Sequence, residues 1–269
     1  MSIITISRGS YTKGKEIAEK LAGKLGYECI AREAIIEASK EFNIPEAKLV
    51  RALHDAPSIL DKITYGKEKF IAYYQIAFLE HLQKDNIVYH GLAGHFLLKD
   101  VAHVLKVRII ADMAERIKLE MAREKISERE AARLLRNDDE ERRKWSQHVY
   151  GIDTSDSSLY DLVIHINKIT VEEAVDIIFN TVRLDHFKTT PESQRIFGEM
   201  LLGARVKLAI IDYAPDAEVY YKKGVVFVKT SASPYKEEIL VNNIRQAAQS
   251  VAGVEEVNVY VMPILPFGD

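Results

Sequence analysis

The chain has 269 residues, 47% of them hydrophobic and 29% charged, and a formal net charge of −3. That length allows one or two domains with substantial cores, and the acid excess excludes binding of a nucleic-acid polymer through bulk positive charge. No apolar run reaches the roughly 18 residues of a membrane span, the N-terminus has no secretory pattern, and the single cysteine, Cys29, lacks disulfide and metal-ligand partners; a cytoplasmic setting away from membranes is expected.

The first apolar run, residues 3–7, predicts a strand. It leads into Ser7-Arg8-Gly9-Ser10-Tyr11-Thr12-Lys13-Gly14-Lys15, and a helical pattern follows over residues 15–25. A strand that turns through G-x-x-x-x-G-K into a helix cradles nucleotide phosphates. Backbone N–H groups close on the anion, the helix start adds its positive dipole end, and the lysine reaches the terminal phosphates. Arg8, Gly9, Ser10, Tyr11, Thr12, Lys13, Gly14, Lys15 and Glu16 are the candidate phosphate-binding residues. Glu16 stands where a Ser or Thr would normally help to hold Mg²⁺, and Tyr11 and Lys13 put bulky side chains in the loop. The alternative is an ordinary βα turn with surface lysines.

Further strands are predicted over residues 28–30, 87–89, 107–111 and 162–166, with helices over 32–41, 70–83, 113–124 and 128–143. Strands separated by helices imply βαβ units and a parallel sheet covered on both faces. Such a sheet binds its ligand outside the carboxyl ends of its strands, where the Arg8–Lys15 loop falls. Ser127 with Glu130, and Thr170 with Glu173, have capping-box spacing. The second opens a helix over residues 171–184 that closes a first domain, residues 1–185. After a connector at 185–190, Thr190-Pro191 starts a new helix, to residue 211. A hairpin (218–222 and 225–230), a helix from Ser233-Pro234 to 251 and a strand at 257–262 complete a small α+β module, residues 190–269. It holds no cluster suited to chemistry and reads as a binding or assembly module, through which a protein partner or self-association would act.

Phosphoryl transfer requires positive charge around a spreading negative one. Arg129, Arg133, Arg136, Arg142 and Arg143 supply it over residues 129–143, and the first three share one helical face. They suit a lid that closes over phosphates, or equally a solvated helix laced with ion pairs. Arg116 and Arg123 are further phosphate candidates. His90, Gly91 and His95 follow the strand at 87–89 and could meet a phosphate or a base; they are too few for a metal site, and none is expected. Asp161, after Tyr160, could cap a turn or pair with a lid arginine. Trp145 and Tyr150 read as packing residues.

Residues 1–182 resemble the cytidylate-kinase-like family of P-loop nucleoside monophosphate kinases. The match is carried by Ile4-Thr5-Ile6-Ser7-Arg8 through Gly14-Lys15-Glu16-Ile17-Ala18, by residues 107–111 with Arg116, and by Asp139-Glu140-Glu141-Arg142 through Tyr160-Asp161-Leu162-Val163-Ile164. The resemblance implies a P-loop kinase-type α/β fold with a five-stranded parallel sheet, a monophosphate-binding insertion around residues 40–85 and an arginine lid. It also implies ATP and Mg²⁺ as cofactors and CMP or dCMP as acceptor. Lys15, Arg133, Arg136 and Arg142 would then be catalytic, with His90, Gly91, Arg116 and Asp161 as candidate substrate contacts. The family's loop is rich in glycine where this chain has Tyr11 and Lys13. Its third strand usually ends in Gly-Arg, the arginine binding the acceptor phosphate, where this chain has His90-Gly91-Leu92. A catalytically weak nucleotide sensor acting through residues 190–269 is the alternative expectation. That C-terminal module resembles a BON domain, through Gly224 before residues 225–228 and Val251-Ala252-Gly253-Val254 before the last strand.

Overall fold

In a computed structural model of the chain, the described residues are 1–8, 11–31, 67–91 and 94–263. The first sheet contains β1 (Ile3–Arg8), β2 (Glu28–Ala31), β3 (Ile87–His90), β4 (Val104–Ala111) and β5 (Leu162–Ile166). All pairings are parallel and the order is β2-β3-β1-β4-β5. The central strand, β1, is therefore flanked by strands whose connections leave in opposite directions, the topological switch point at which open α/β sheets take their ligands.

Around this sheet lie α1 (Tyr11–Leu25), α2 (Lys67–Leu82), the single turn α3 (Gly94–Leu97), α4 (Met113–Glu124), α5 (Glu128–Tyr150), α6 (Val171–Val182) and α7 (Pro191–Ile210). On one face Ile4, Ile6, Val88, Leu105, Val107 and Ile109 pack beneath Ile17 and Leu21 of α1 and Ala174 and Ile178 of α6. The i, i+4 spacing of Ile17 and Leu21 puts both on that face. Lys20–Glu172 (2.6 Å) and Lys24–Asp176 (2.5 Å) ion pairs tie the outer edges of α1 and α6 together. On the other face Ile3, Ile87, Tyr89 and Val104 meet Phe78, Leu79 and Leu82 of α2, Leu97 of α3, and Phe197 and Leu201 of α7. Each such fully buried side chain contributes about 1.5–3 kcal/mol.

The smaller sheet has the order β6-β7-β8, from β6 (Glu218–Lys222), β7 (Val225–Ala232) and β8 (Glu256–Pro263). The expected hairpin is there, antiparallel, and α8 (Glu237–Gln249) carries the chain across to β8, parallel to β7. Val226, Val228, Ile244, Ala248 and Val257 form a separate core with Val206 and Ile210 of α7. Helix α7 thus feeds both cores, Phe197, Leu201 and Ala204 into one and Val206 and Ile210 into the other. The connector before it is pinned as well: Thr189 donates its N–H to the Met1 carbonyl at 2.9 Å and contacts Asp85 at 2.9 Å.

Several boundaries differ from the sequence expectations. Helix α1 opens at Tyr11, not at residue 15, so Lys13, Gly14 and Lys15 are helical and not part of the loop. Strand β4 begins at Val104 although Lys106 and Arg108 interrupt its apolar run. Helix α5 runs to Tyr150, seven residues past the expected end, and stops at Gly151 in the left-handed region (φ 66°). The helix expected over residues 32–41 lies outside the described residues. Of the insertion expected at 40–85, residues 67–85 are described, and there α2 packs on the sheet with Ala72, Tyr74 and Ile76 buried.

Candidate functional site

The carboxyl edge of β1 and the start of α1 form the first part of the site. Arg8 ends β1, and Tyr11 and Thr12 open α1; Gly9 and Ser10 lie outside the described residues. No acidic residue occupies the first turn of α1, so its own side chains leave the positive end of the helix unneutralised, which favours an anion there. Lys13 is half-buried and Gly14 buried. The hydrogen bond and charge of Lys118 hold the Glu115 carboxyl on α4 below its usual range, and the Lys13 charge adds a smaller effect of the same sign. Lys15 is about half exposed and stands 3.6 Å from Glu19, and Glu16 pairs with Lys20 at 2.9 Å. With α1 starting at Tyr11, the Lys15 N–H falls inside the helical ladder, so only its side chain is free to reach a ligand.

Helices α4 and α5 border this edge. Arg116 is buried and forks onto Asp139 of α5, with N···O distances of 2.6 and 2.8 Å. The guanidinium expected to meet phosphate is thus held by a carboxylate of α5. Arg133 and Arg136 are exposed on α5, and Arg142, half-buried, lies on the same helix. The helix is started by a full capping box at Ser127 and Glu130.

The second part of the site lies on the α2–α3 face of the sheet. There the register aligns Thr5 with Lys106 and Ser7 with Arg108, while Tyr89 sits beside Thr5 on β3. A parallel sheet covered on both faces ordinarily presents apolar side chains there; this one turns polar towards its carboxyl end. Tyr160 is the hub. Its Oη lies 3.1 Å from His95 Nε2, 3.0 Å from the Thr154 carbonyl and 3.4 Å from Ser7 Oγ, and accepts from Arg108 Nη1 at 3.4 Å. The single phenolic proton serves one acceptor at a time: when the Thr154 carbonyl takes it, Ser7 and His95 must both act as donors to Tyr160 Oη. Burial raises the Tyr160 pKa and lowers that of His95 to about 3, the charges of Arg108 and Lys106 adding to the second effect. His95 is therefore neutral near pH 7. Burial also lowers the pKa of Lys106, whose Nζ donates to the Lys99 carbonyl at 2.9 Å. Thr5 Oγ1 is buried with no partner among the described residues.

The remaining candidates are placed elsewhere. His90 ends β3, buried and level with Ile6, and the Gly91 N–H donates to the Ile6 carbonyl at 3.2 Å. Asp161 accepts from the Lys106 N–H at 2.8 Å and returns its own N–H to the Lys106 carbonyl at 2.8 Å. It thereby closes the start of β5 against β4. Tyr150 packs on Phe96, with ring centroids 5.4 Å apart. Arg108 and Ser7 are the site residues that motif reading passes over. Their signal was the alternation Lys106-x-Arg108 and Thr5-x-Ser7 within otherwise apolar strands.

Among the described residues no cluster of His, Cys, Asp and Glu could hold a metal ion. Glu16, at the position of the usual metal-holding hydroxyl, is engaged by Lys20, and Asp112 by His165 and Asn167. These residues do not form a resident Mg²⁺ site.

A five-stranded parallel sheet in this order, flanked by helices and with a helix opening beside the carboxyl end of its central strand, is the α/β fold that the sequence resemblance implies. The sequence model of the cytidylate kinase-like family matches residues 3–168, and the chain belongs to that family. It is 37% identical over 100 residues to the cytidylate kinase of Methanosarcina acetivorans, which covers 36% of this chain and 54% of the relative. It is 27% identical over 168 residues to that of Sulfolobus acidocaldarius, covering 62% and 86%. The chain thus spans about half the length of the first of these relatives and most of the second. A crystal structure of an uncharacterized protein from Eubacterium ventriosum superposes with a TM-score of 0.54 at 22% identity, over 68% of this chain and 99% of that one. No described helix is long and apolar enough to cross a membrane.

Proposed function

We propose that the chain is an ATP-dependent nucleoside monophosphate kinase whose acceptor is CMP or dCMP. The observation that carries this reading is the acid-free start of α1 at the carboxyl edge of the central strand, next to a buried polar face on β1 and β4. The β- and γ-phosphates of ATP would lie at residues 8–15, held by backbone N–H groups and by the Lys15 side chain. Arg133, Arg136 and Arg142 would close from α5 over the transferring group. An oxygen of the acceptor phosphate forms the new bond to the γ-phosphorus as the bond to the β-phosphate oxygen breaks, leaving ADP and the nucleoside diphosphate. Positioning and positive charge are the protein's contribution to that step. Mg²⁺ would arrive as the ATP complex, with most of its ligands from phosphate and water.

A second reading has a specific observation behind it: Glu16 replaces the metal-holding hydroxyl and is tied to Lys20. In that reading nucleotide binds without turnover and acts through residues 190–269. Their α-β-β-α-β order supports the likeness to a BON-type binding module, and helix α7, shared between two cores, offers the mechanical link. A coupled assay of ADP release from ATP with CMP, dCMP, UMP and AMP separates the two. Turnover with a cytidine nucleotide supports the kinase; binding seen by calorimetry without turnover supports the sensor.

A further inference from the structure

Arg108 poses an unsolved electrostatic problem. Its side chain leaves β4 on the α2–α3 face, level with Ser7, and is half-buried. Among the described residues it makes one hydrogen bond, the 3.4 Å contact to Tyr160 Oη, and its guanidinium lies 5.5 Å from the centre of the Tyr160 ring. Among the described residues no carboxylate pairs with it. Asp153 is close enough to feel its charge, but the Asp153 carboxylate accepts from the N–H and Oγ of Ser155, each at 2.8 Å. Lys106, whose charge with that of Arg108 bears on His95, has the same sign, and His95 is neutral. Even a half-buried guanidinium gains from a counter-charge, and one held in place without a carboxylate among the described residues suits an anion from outside. The fork of five donors matches a phosphate, with one arm on Tyr160 and no partner for the others among the described residues.

We propose that Arg108, with Tyr160 and Ser7 beside it, binds the phosphate monoester of the acceptor nucleotide. This rests on the kinase reading of the same edge and adds to it the cation that His90-Gly91-Leu92 does not supply. Ser7 is the last residue but one of β1, so a phosphate on Arg108 lies on the strand that leads directly into the donor-phosphate loop. Tyr160 holds the guanidinium in place, and His95 and the Thr154 carbonyl hold Tyr160. Arg108 would be the substrate-binding residue; Tyr160 would act on the ligand through it and is a positioning residue.

The test uses the full chain and calorimetric titration with CMP, cytidine and ATP, for wild type, Arg108→Gln and Arg108→Lys, each checked for folding by circular dichroism. Arg108→Gln is expected to weaken CMP about 100-fold, some 2.8 kcal/mol at about 1.4 kcal/mol per tenfold, while cytidine and ATP change by less than about twofold. Arg108→Lys keeps a charge but loses the fork, and is expected to weaken CMP about tenfold; this variant decides the matter should Arg108→Gln not fold. CMP affinity within about threefold of wild type in Arg108→Gln, or within about twofold in Arg108→Lys, overturns the assignment. An equal loss for cytidine and ATP, or a wild type that binds no CMP, does the same. If CMP binding depends on Arg108 and no ADP forms, this site stands and the kinase reading falls. If turnover proceeds and the KM for CMP ignores Arg108, the kinase stands and this site falls.

Discussion

The Arg116–Asp139 pair allows a worked prediction, because it is the fork by which α5 is fastened to α4. Both N···O distances are short (2.6 and 2.8 Å), the Arg116 side chain is 9% exposed and that of Asp139 38%. Asp139→Asn keeps the size and one acceptor oxygen but removes the counter-charge, and Arg116 Nε already lacks a partner among the described residues. Breaking a fully buried pair costs about 3–5 kcal/mol. The exposure of Asp139 screens part of that, since surface pairs are worth about 0–1 kcal/mol. About 2 kcal/mol is therefore expected, or a fall in Tm of roughly 4–8 °C for a chain of this size. The assay is a double-mutant cycle by urea or thermal unfolding, with Asp139→Asn, Arg116→Met and both together. A coupling of at least about 1.5 kcal/mol is expected, because residues in direct contact are not additive. Additivity within about 0.5 kcal/mol would refute the claim that this pair fastens α5 to α4.

Further outcomes follow from the same structure. Gly94→Ala would place a Cβ 2.6 Å from Tyr89 Cδ1, in a ring that is fully buried; such overpacking should cost about 1–3 kcal/mol and lower Tm measurably, and an unchanged Tm would contradict the packing. Lys15→Ala removes only a surface pair with Glu19, so Tm should move by no more than about 2 °C, whereas the kinase reading requires kcat/KM to fall about 100-fold or more. His95 is held neutral when folded, with its pKa near 3 against an ordinary 6.5. Between those values the unfolded chain binds more protons, so stability falls as pH drops from about 6.5 towards 3, by up to about 1.4 kcal/mol per pH unit from this group. Urea midpoints at several pH values should show a shallower acid loss in His95→Gln; parallel curves would contradict the assignment.

Much of the fold was legible in the sequence because its strongest signals are local. The isoleucines of β1, the capping boxes at Ser127 and Thr170, and Thr190-Pro191 each state a strand or a helix start in a few residues, and those elements are where the chain predicts them. The boundaries that moved did so where one local rule concealed another. Lys106 concealed the start of β4, expected at residue 107, yet the strand begins at Val104 and runs through Lys106 because Leu105, Val107 and Ile109 fill the opposite face. Gly14-Lys15 looked like the end of a loop by motif, yet α1 opens a full turn earlier. The Tyr160 hub joins residues 7, 95, 108 and 160, and only the strand order β3-β1-β4-β5 brings these together. No spacing along the chain encodes such a meeting. The same holds for Arg116, whose type suggests a phosphate ligand and whose partner is a carboxylate on the next helix.

The central claim is phosphoryl transfer at the carboxyl edge of β1, and ADP release is its most direct measure. Purified chain with Mg²⁺-ATP and CMP or dCMP should form ADP and the matching diphosphate in equal amounts, well above the rate without acceptor. Folded chain that binds ATP yet forms no diphosphate from CMP, dCMP, UMP or AMP would contradict it.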